Sequence, residues 1–448
     1  MQNHKTISAK LMLKFLLPSL TGVALFLVPI RIDGEFTLLV NLIINATKSA
    51  MGGFLLPFVL IVLGTSALCS TIGFFNPNLF KGYWGRLFNV KIFNLLIRLF
   101  AFIIGIMIYF KLGPEMIWSK DTGGMMLVDV VANLIPFFLW AGMFIPLLTE
   151  FGLMEFVGNL LRPVMRPLFR IPGRSAVNCS VAWVGSGTMG IVLTNKEFED
   201  GFYTRREAAT ISASWCVASV AIVYLLSSFL DLANYFPLVY LTVIGVGVTI
   251  NVIICRIPPL ARFPETFDEE APKRDVSEII PAGQTRLGYA LQSAVDRAGE
   301  EKENLVKSGL KITGDIWFTL EPIVLAIGTV GTILVEYTPI VSYLALPLEW
   351  LCGLLGLPQA DLVGQCILLG GVDLFLPFVV GMGGLESMVS KFALTVTCLC
   401  QIIFLTETGP LLYKLRMGFK LWHLVALFLI RTLLALLIVT PLAFLFFG

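Results

Sequence analysis

Two stretches of the chain, Ala176–Thr194 (AVNCSVAWVGSGTMGIVLT) and Leu362–Val380 (LVGQCILLGGVDLFLPFVV), decide how the rest is read. Each is largely apolar and is interrupted near its middle by glycines and polar side chains. A continuous apolar helix of about 20 residues would cross the roughly 30 Å of hydrocarbon in a bilayer. Glycines at the centre permit a sharp turn instead. Both stretches are therefore predicted as re-entrant hairpins, entering the membrane and returning on the side they came from.

Outward from these two, apolar runs of crossing length fall at roughly 12–30, 51–72, 92–110, 126–149, 207–229, 237–255, 316–336, 391–412 and 422–446. Of the 448 residues 57% are hydrophobic and 14% charged, a balance no soluble core could bury. Backbone amides in lipid must be satisfied within their own segment, so the runs are predicted as helices. The expected fold is an all-α polytopic membrane protein with about nine transmembrane helices plus two re-entrant hairpins. The first run follows Lys5, Lys10 and Lys14 and lacks a small-residue cleavage pattern, so it is read as an uncleaved span.

Charge arbitrates the topology. With both hairpins re-entrant, 26 Lys and Arg fall on one side and 5 on the other, with Arg431 inside the last span. The positive-inside rule makes the richer side cytoplasmic, with the N-terminus and the 256–311 loop there. That loop carries nine basic and ten acidic residues. Its second half places Leu287, Leu291, Ala294, Val295, Ala298 and Leu305 at near-helical spacing, which predicts an amphipathic helix.

Sliding the chain against itself by 186 positions pairs Pro136 with Pro322, Gly142 with Gly328, Glu150 with Glu336, Pro172 with Pro358 and Gly185 with Gly371. Arg162, Arg166, Arg170 and Arg174 lie in the first copy, whereas 312–390 contains no Lys or Arg, so the copies are expected to be inverted. The resulting division is 1–125 N-terminal helices, 126–230 first repeat, 231–255 connecting helix, 256–311 cytoplasmic loop, 312–412 second repeat and 413–448 C-terminal helix. Inverted repeats with broken segments are built to bind a solute near the bilayer midplane.

The candidate binding residues follow from the hairpins. Gly185, Ser186, Gly187 and Thr188 form the first tip, and Gly370, Gly371 and Asp373 the second. Asp373 stands out, because a carboxylate within an apolar hairpin is costly and marks a solute, sodium or proton site. Asn178, Gln365 and Gln401 add neutral donors and acceptors. Glu150 and Glu336 end equivalent spans, and with Asp373 and Glu407 they are the coupling candidates. Ser212 and Ser214 are read as helix-packing residues, and a Glu407–Arg431 pair is conceivable.

Other chemistries lack their residues. Gly185, Gly187 and Gly190 spell GxGxxG without a strand or βαβ context, there is no GxxxxGK[ST] or HExxH, and the histidines are His4 and His423. No catalytic residue, metal site or cofactor is expected beyond Na+ or H+ as a coupling ion. The eight cysteines lack CxxC spacing and are read as buried thiols. A net charge of +2 gives no reason to expect nucleic acid.

The segment from Pro136 to Ser219, with Gln292–Gly299 before its second copy, resembles the nucleoside-recognition or Gate domain, and the whole chain is similar to the YjiH family of bacterial inner-membrane proteins. The resemblance implies solute binding at the hairpin tips of a moving unit, and a smaller Gate-domain membrane protein as partner. Two functions are expected from the whole: a secondary transporter of a small polar organic solute such as a nucleoside, driven by Na+ or H+, or a non-transporting scaffold acting with that partner. A homo-oligomer is compatible with either.

Overall fold

Apolar runs that cannot bond to water close their hydrogen bonds along themselves, and the chain is helical almost throughout. The structure, a computed structural model, describes residues 8–26, 28–32, 35–184, 187–215, 218–270, 285–300 and 304–448. The N-terminal part holds α1 (Ala9–Phe26), a small antiparallel ribbon of β1 (Pro29–Ile32) and β2 (Glu35–Leu38), α2 (Leu39–Met51), α3 (Leu55–Phe75) and α4 (Ile92–Phe110).

The first repeat runs through a π-helical turn, Met126–Val131, into α5 (Ala132–Thr149), then α6 (Leu153–Val164), α7 (Ser175–Val184), α8 (Gly187–Glu199), α9 (Arg205–Ser214) and α10 (Val220–Phe229). After α11 (Phe236–Ile254) come α12 (Arg286–Gly299) and α13 (Leu305–Asp315). The second repeat again has a π turn, Ile316–Leu320, before α14 (Glu321–Tyr337), α15 (Ile340–Leu354), α16 (Ala360–Gly370), α17 (Leu376–Gly384), α18 (Met388–Gln401) and α19 (Thr408–Lys414). Helix α20 (Leu421–Phe447) closes the bundle. The 186-residue offset lays the two repeats onto each other element by element, from π turn to broken helix.

Among the described residues, seven helical stretches are long and apolar enough to cross a bilayer. They are Ala9–Phe26, Leu39–Phe75, Ile92–Phe110, Glu115–Thr149, Ala233–Ile254, Leu305–Tyr337 and Leu421–Phe447. The spans expected at 207–229 and 391–412 are present in broken form, α9 with α10 and α18 with α19. In the second, Ile402 takes a left-handed φ of 53° directly after α18. A broken helix leaves carbonyls and amides unpaired in mid-bundle, and those groups need partners from elsewhere.

One boundary shifts. The loop expected to reach 311 ends earlier, because α13 starts at Leu305 and continues through the π turn into α14. Helix α13 lies tightly on α5. A Cβ on Gly142 would come within 2.5 Å of Thr313 Oγ1, and one on Gly309 within 2.7 Å of Met143 Cα, so only glycine allows the approach. The expected amphipathic helix is α12, whose Ala294, Val295 and Ala298 pack with Phe15 of α1 and Phe156 of α6.

Candidate functional site

Each repeat presents a helical hairpin, α7 with α8 and α16 with α17, followed by its broken helix. The second hairpin is joined to its break by directional bonds. Leu405 N–H donates to Gly371 O at 3.0 Å and Thr406 N–H to Val372 O at 3.1 Å. Asp373 lies between them: Oδ1 accepts from Phe375 N–H at 2.8 Å and Oδ2 from the Thr406 hydroxyl at 2.9 Å. Behind the tip, Gln401 Nε2 donates to Ile367 O at 3.1 Å and to Thr432 Oγ1 at 2.9 Å. A Cβ on Gly370 would lie 2.3 Å from Gln401 Oε1, so the tip needs glycine to sit this close.

The described residues of the first hairpin are held by ring contacts. Gly185 and Ser186 lie outside the described residues, while Gly187 and Thr188 open α8. Trp183, near the end of α7, packs against Trp215 at the end of α9, with ring centroids 5.4 Å apart, and Trp215 meets Phe169 edge-on at 4.8 Å. The arms close at Gly190, where a Cβ would come within 2.3 Å of Ala182 Cβ.

Between the breaks sits Arg431 of α20, fully buried. Its Nε donates to Cys400 O at 2.8 Å, near the end of α18, and its Nη1 to Ala213 O at 3.4 Å, near the end of α9. Nη1 also reaches Asn251 Oδ1 of α11 at 3.1 Å. A cation here meets the negative ends of two half-helices at once, which stabilises carbonyls that the breaks leave exposed. Four buried polar atoms, on Asn251 and on residues that follow the two carbonyls bonded by this cation, have no hydrogen-bond partner among the described residues: Ser214 Oγ, Trp215 Nε1, Asn251 Nδ2 and Gln401 Oε1. Two donate, one accepts and the serine can do either.

Other expected site residues lie apart from this centre. Asn178 stands at the base of the first hairpin, where its Nδ2 donates to Glu197 Oε2 at 2.7 Å and to Tyr203 OH at 3.2 Å. Burial, then the neighbouring Glu197 carboxylate, pushes the Tyr203 phenol well above its ordinary range, so it remains a neutral hydroxyl. Gln365 turns away from its tip and donates to Glu349 Oε1 of α15 at 3.1 Å. Glu150 accepts from Ser308 Oγ at 2.6 Å, and Glu336 is exposed in the last turn of α14. Glu407 is exposed at the start of α19, and the bonds of Arg431 described above go to the helix ends and Asn251 instead.

Sequence reasoning missed Thr406, Thr432, Asn251 and Trp215, and it gave Arg431 a different role. The stretch Thr406-Glu407-Thr408-Gly409-Pro410 inside an expected span signals the second break. Nothing comparable precedes the first. A separate cavity of about 500 Å³ lies by the base of the first hairpin, where Arg166, Arg170, Arg174 and Arg206 converge with Glu207 and Glu265. Among the described residues no cluster of His, Cys, Asp and Glu could hold a metal ion.

Residues 131–236 match the Gate family, described as nucleoside recognition. An uncharacterized protein of Alkalihalophilus pseudofirmus, BpOF4_10220, is 38% identical over 455 aligned positions, covering 100% of this chain and 97% of that protein. The sporulation integral membrane protein YlbJ of Bacillus subtilis is 33% identical over 96 residues, 21% of this chain and 22% of that one. Among solved structures, CNTnw in an inward-facing substrate-bound state aligns over 90% of this chain and 97% of that one, at 12% identity and a TM-score of 0.43.

Proposed function

We propose that this chain, which belongs to the family of the uncharacterized Alkalihalophilus pseudofirmus protein, is a secondary transporter of a small polar organic solute of the nucleoside class. The observation that carries this reading is the set of unsatisfied polar atoms around Arg431, at the ends of two broken helices. Buried polar groups are normally paired, and orphans on the residues that end two broken helices are candidates for bonds that a ligand supplies. Donors and acceptors in nearly equal number suit the edge of a nucleobase or a sugar hydroxyl. The nucleoside-recognition match over 131–236 supports the same class.

In this reading the site lies near the bilayer midplane, where non-helical backbone is tolerated around a cavity, and the hairpins alternate in exposing it. The resemblance to the YjiH family supports residence in the bacterial inner membrane, and the charge distribution supports a cytoplasmic N-terminus and 256–311 loop. We assign it to the YjiH type and to action alongside a smaller Gate-domain membrane protein.

The test is thermal unfolding of the purified protein in detergent against nucleosides, nucleobases, short peptides and organic acids. A solute present at one hundred times its dissociation constant stabilises the folded state by about 2.7 kcal/mol. The expected result is a shift with nucleosides that is lost in Gln401→Met. No shift with any compound would transfer the assignment to a membrane scaffold.

A further inference from the structure

Glu321 has no role in the site described above. It is the first residue of α14, and its N–H closes the π turn onto Ile316 O. Its side chain is 0% exposed, and neither carboxylate oxygen has a hydrogen-bond partner among the described residues. Asp373, by contrast, has both oxygens bonded.

The helices around Glu321 do not neutralise it. On α4, Arg98 commits its guanidinium to Ser70 Oγ, Leu87 O and Thr319 Oγ1. On α3, Ser66 donates to Phe318 O in the π turn, and neither α3 nor α5 nor α17 carries a charged residue. Asp129 and Glu115 are exposed, Glu349 of α15 accepts from Gln365, and Asp315 on the preceding turn lies beside Tyr83. The repeat offset pairs Glu321 with Ile135, so this place in the fold accepts a hydrocarbon and does not itself require an acid.

An ionised carboxylate without a partner is too costly to keep inside a membrane protein, while the neutral acid is tolerated. A π turn next to the residue is a common mark of a functional position. We propose that Glu321 is a proton-coupling site: its carboxylic acid holds one proton in the arrangement described here and releases it to water when the seam between α14, α3 and α4 opens. The carboxylate left behind is reprotonated only after the seam has closed to that side and water reaches it from the opposite one. This rests on the transporter reading and names its coupling ion as H+.

Two measurements separate the proposal from that reading. Infrared difference spectra of the full chain in lipid nanodiscs at neutral pH should show the carbonyl stretch of a protonated acid in wild type that is missing in Glu321→Gln. Its absence from wild type, or its survival in the variant, overturns the bound proton whether or not the protein transports anything. In liposomes, uridine uptake under an imposed pH gradient should exceed equilibration in wild type, while Glu321→Gln should retain uridine exchange and lose accumulation. Accumulation in the variant equal to wild type overturns the coupling role. A wild type that moves no uridine overturns the nucleoside-transport reading and with it the coupling step, leaving the infrared band to decide the bound proton. Glu321→Ile, copied from the equivalent position of the first repeat, should melt no lower than wild type, and a large drop would show a structural acid instead.

Discussion

In the second hairpin unit, two backbone bonds and the Asp373–Thr406 contact fasten the tip to the helix break behind it. Among the described residues of the first, the rings of Trp183, Trp215 and Phe169 pack against one another behind the tip. Hydrogen bonds fix distance and direction, whereas aromatic contacts tolerate a range of geometries. Among the described residues, the second tip is thus fastened by directed bonds and the first is backed by ring packing. The repeat offset places Gln401 opposite Trp215, an amide in one half and an indole in the other.

The strongest way to break this contrast is to remove what the halves share. Arg431→Met leaves Cys400 O, Ala213 O and Asn251 Oδ1 without their donor, and it should cost about 3 kcal/mol, read as a drop in melting temperature in detergent. A melting temperature equal to wild type would mean that the breaks do not depend on the cation. Next, Gly370→Ala drives a methyl group onto Gln401 Oε1 and should cost about 2 kcal/mol. Hydrogen exchange should rise over 367–375 and 398–408, with the first hairpin unchanged.

Thr406→Val removes one bond to Asp373 and should cost about 1 kcal/mol. Equal loosening of both hairpins in that variant would contradict a latch local to the second hairpin. The smallest effect on stability is expected in the aromatic half. Trp215→Phe keeps a ring for Trp183 and Phe169 but deletes the unpartnered Nε1, and should change stability by less than about 0.5 kcal/mol. Nucleoside-dependent stabilisation should fall in the same variant, and an unchanged response would remove Trp215 from the solute site.

The parts of this architecture that were legible in sequence are those set by composition and repetition. Apolar runs located the crossings, glycines located both hairpins, and Pro136 with Pro322 fixed the offset that superposes the repeats. The first helix break was not legible in the same way, because Trp215 to Ser219 contains neither glycine nor proline and reads as ordinary helix. Long-range partners were also hidden. Asn178 and Gln365 look alike as polar residues in hairpin arms, yet each faces a glutamate away from its tip, a placement decided by packing between elements. Glu321 lies inside the span expected at 316–336, and its burial without a partner among the described residues is decided by packing between elements.

Arg431 bears on how the protein is made. It bonds to Ala213, 218 residues earlier in the chain, and to Cys400, 31 residues earlier. A ribosome feeding helices into the membrane in order delivers both broken helices well before the cation that quiets their carbonyl ends. Until α20 arrives, the centre of the bundle is an incomplete assembly with exposed polar backbone, the kind of intermediate that insertion chaperones shelter and membrane proteases degrade. The last helix therefore acts as a checkpoint in biogenesis, and a ribosome stalled before codon 431 should leave a product that is cleared from the membrane.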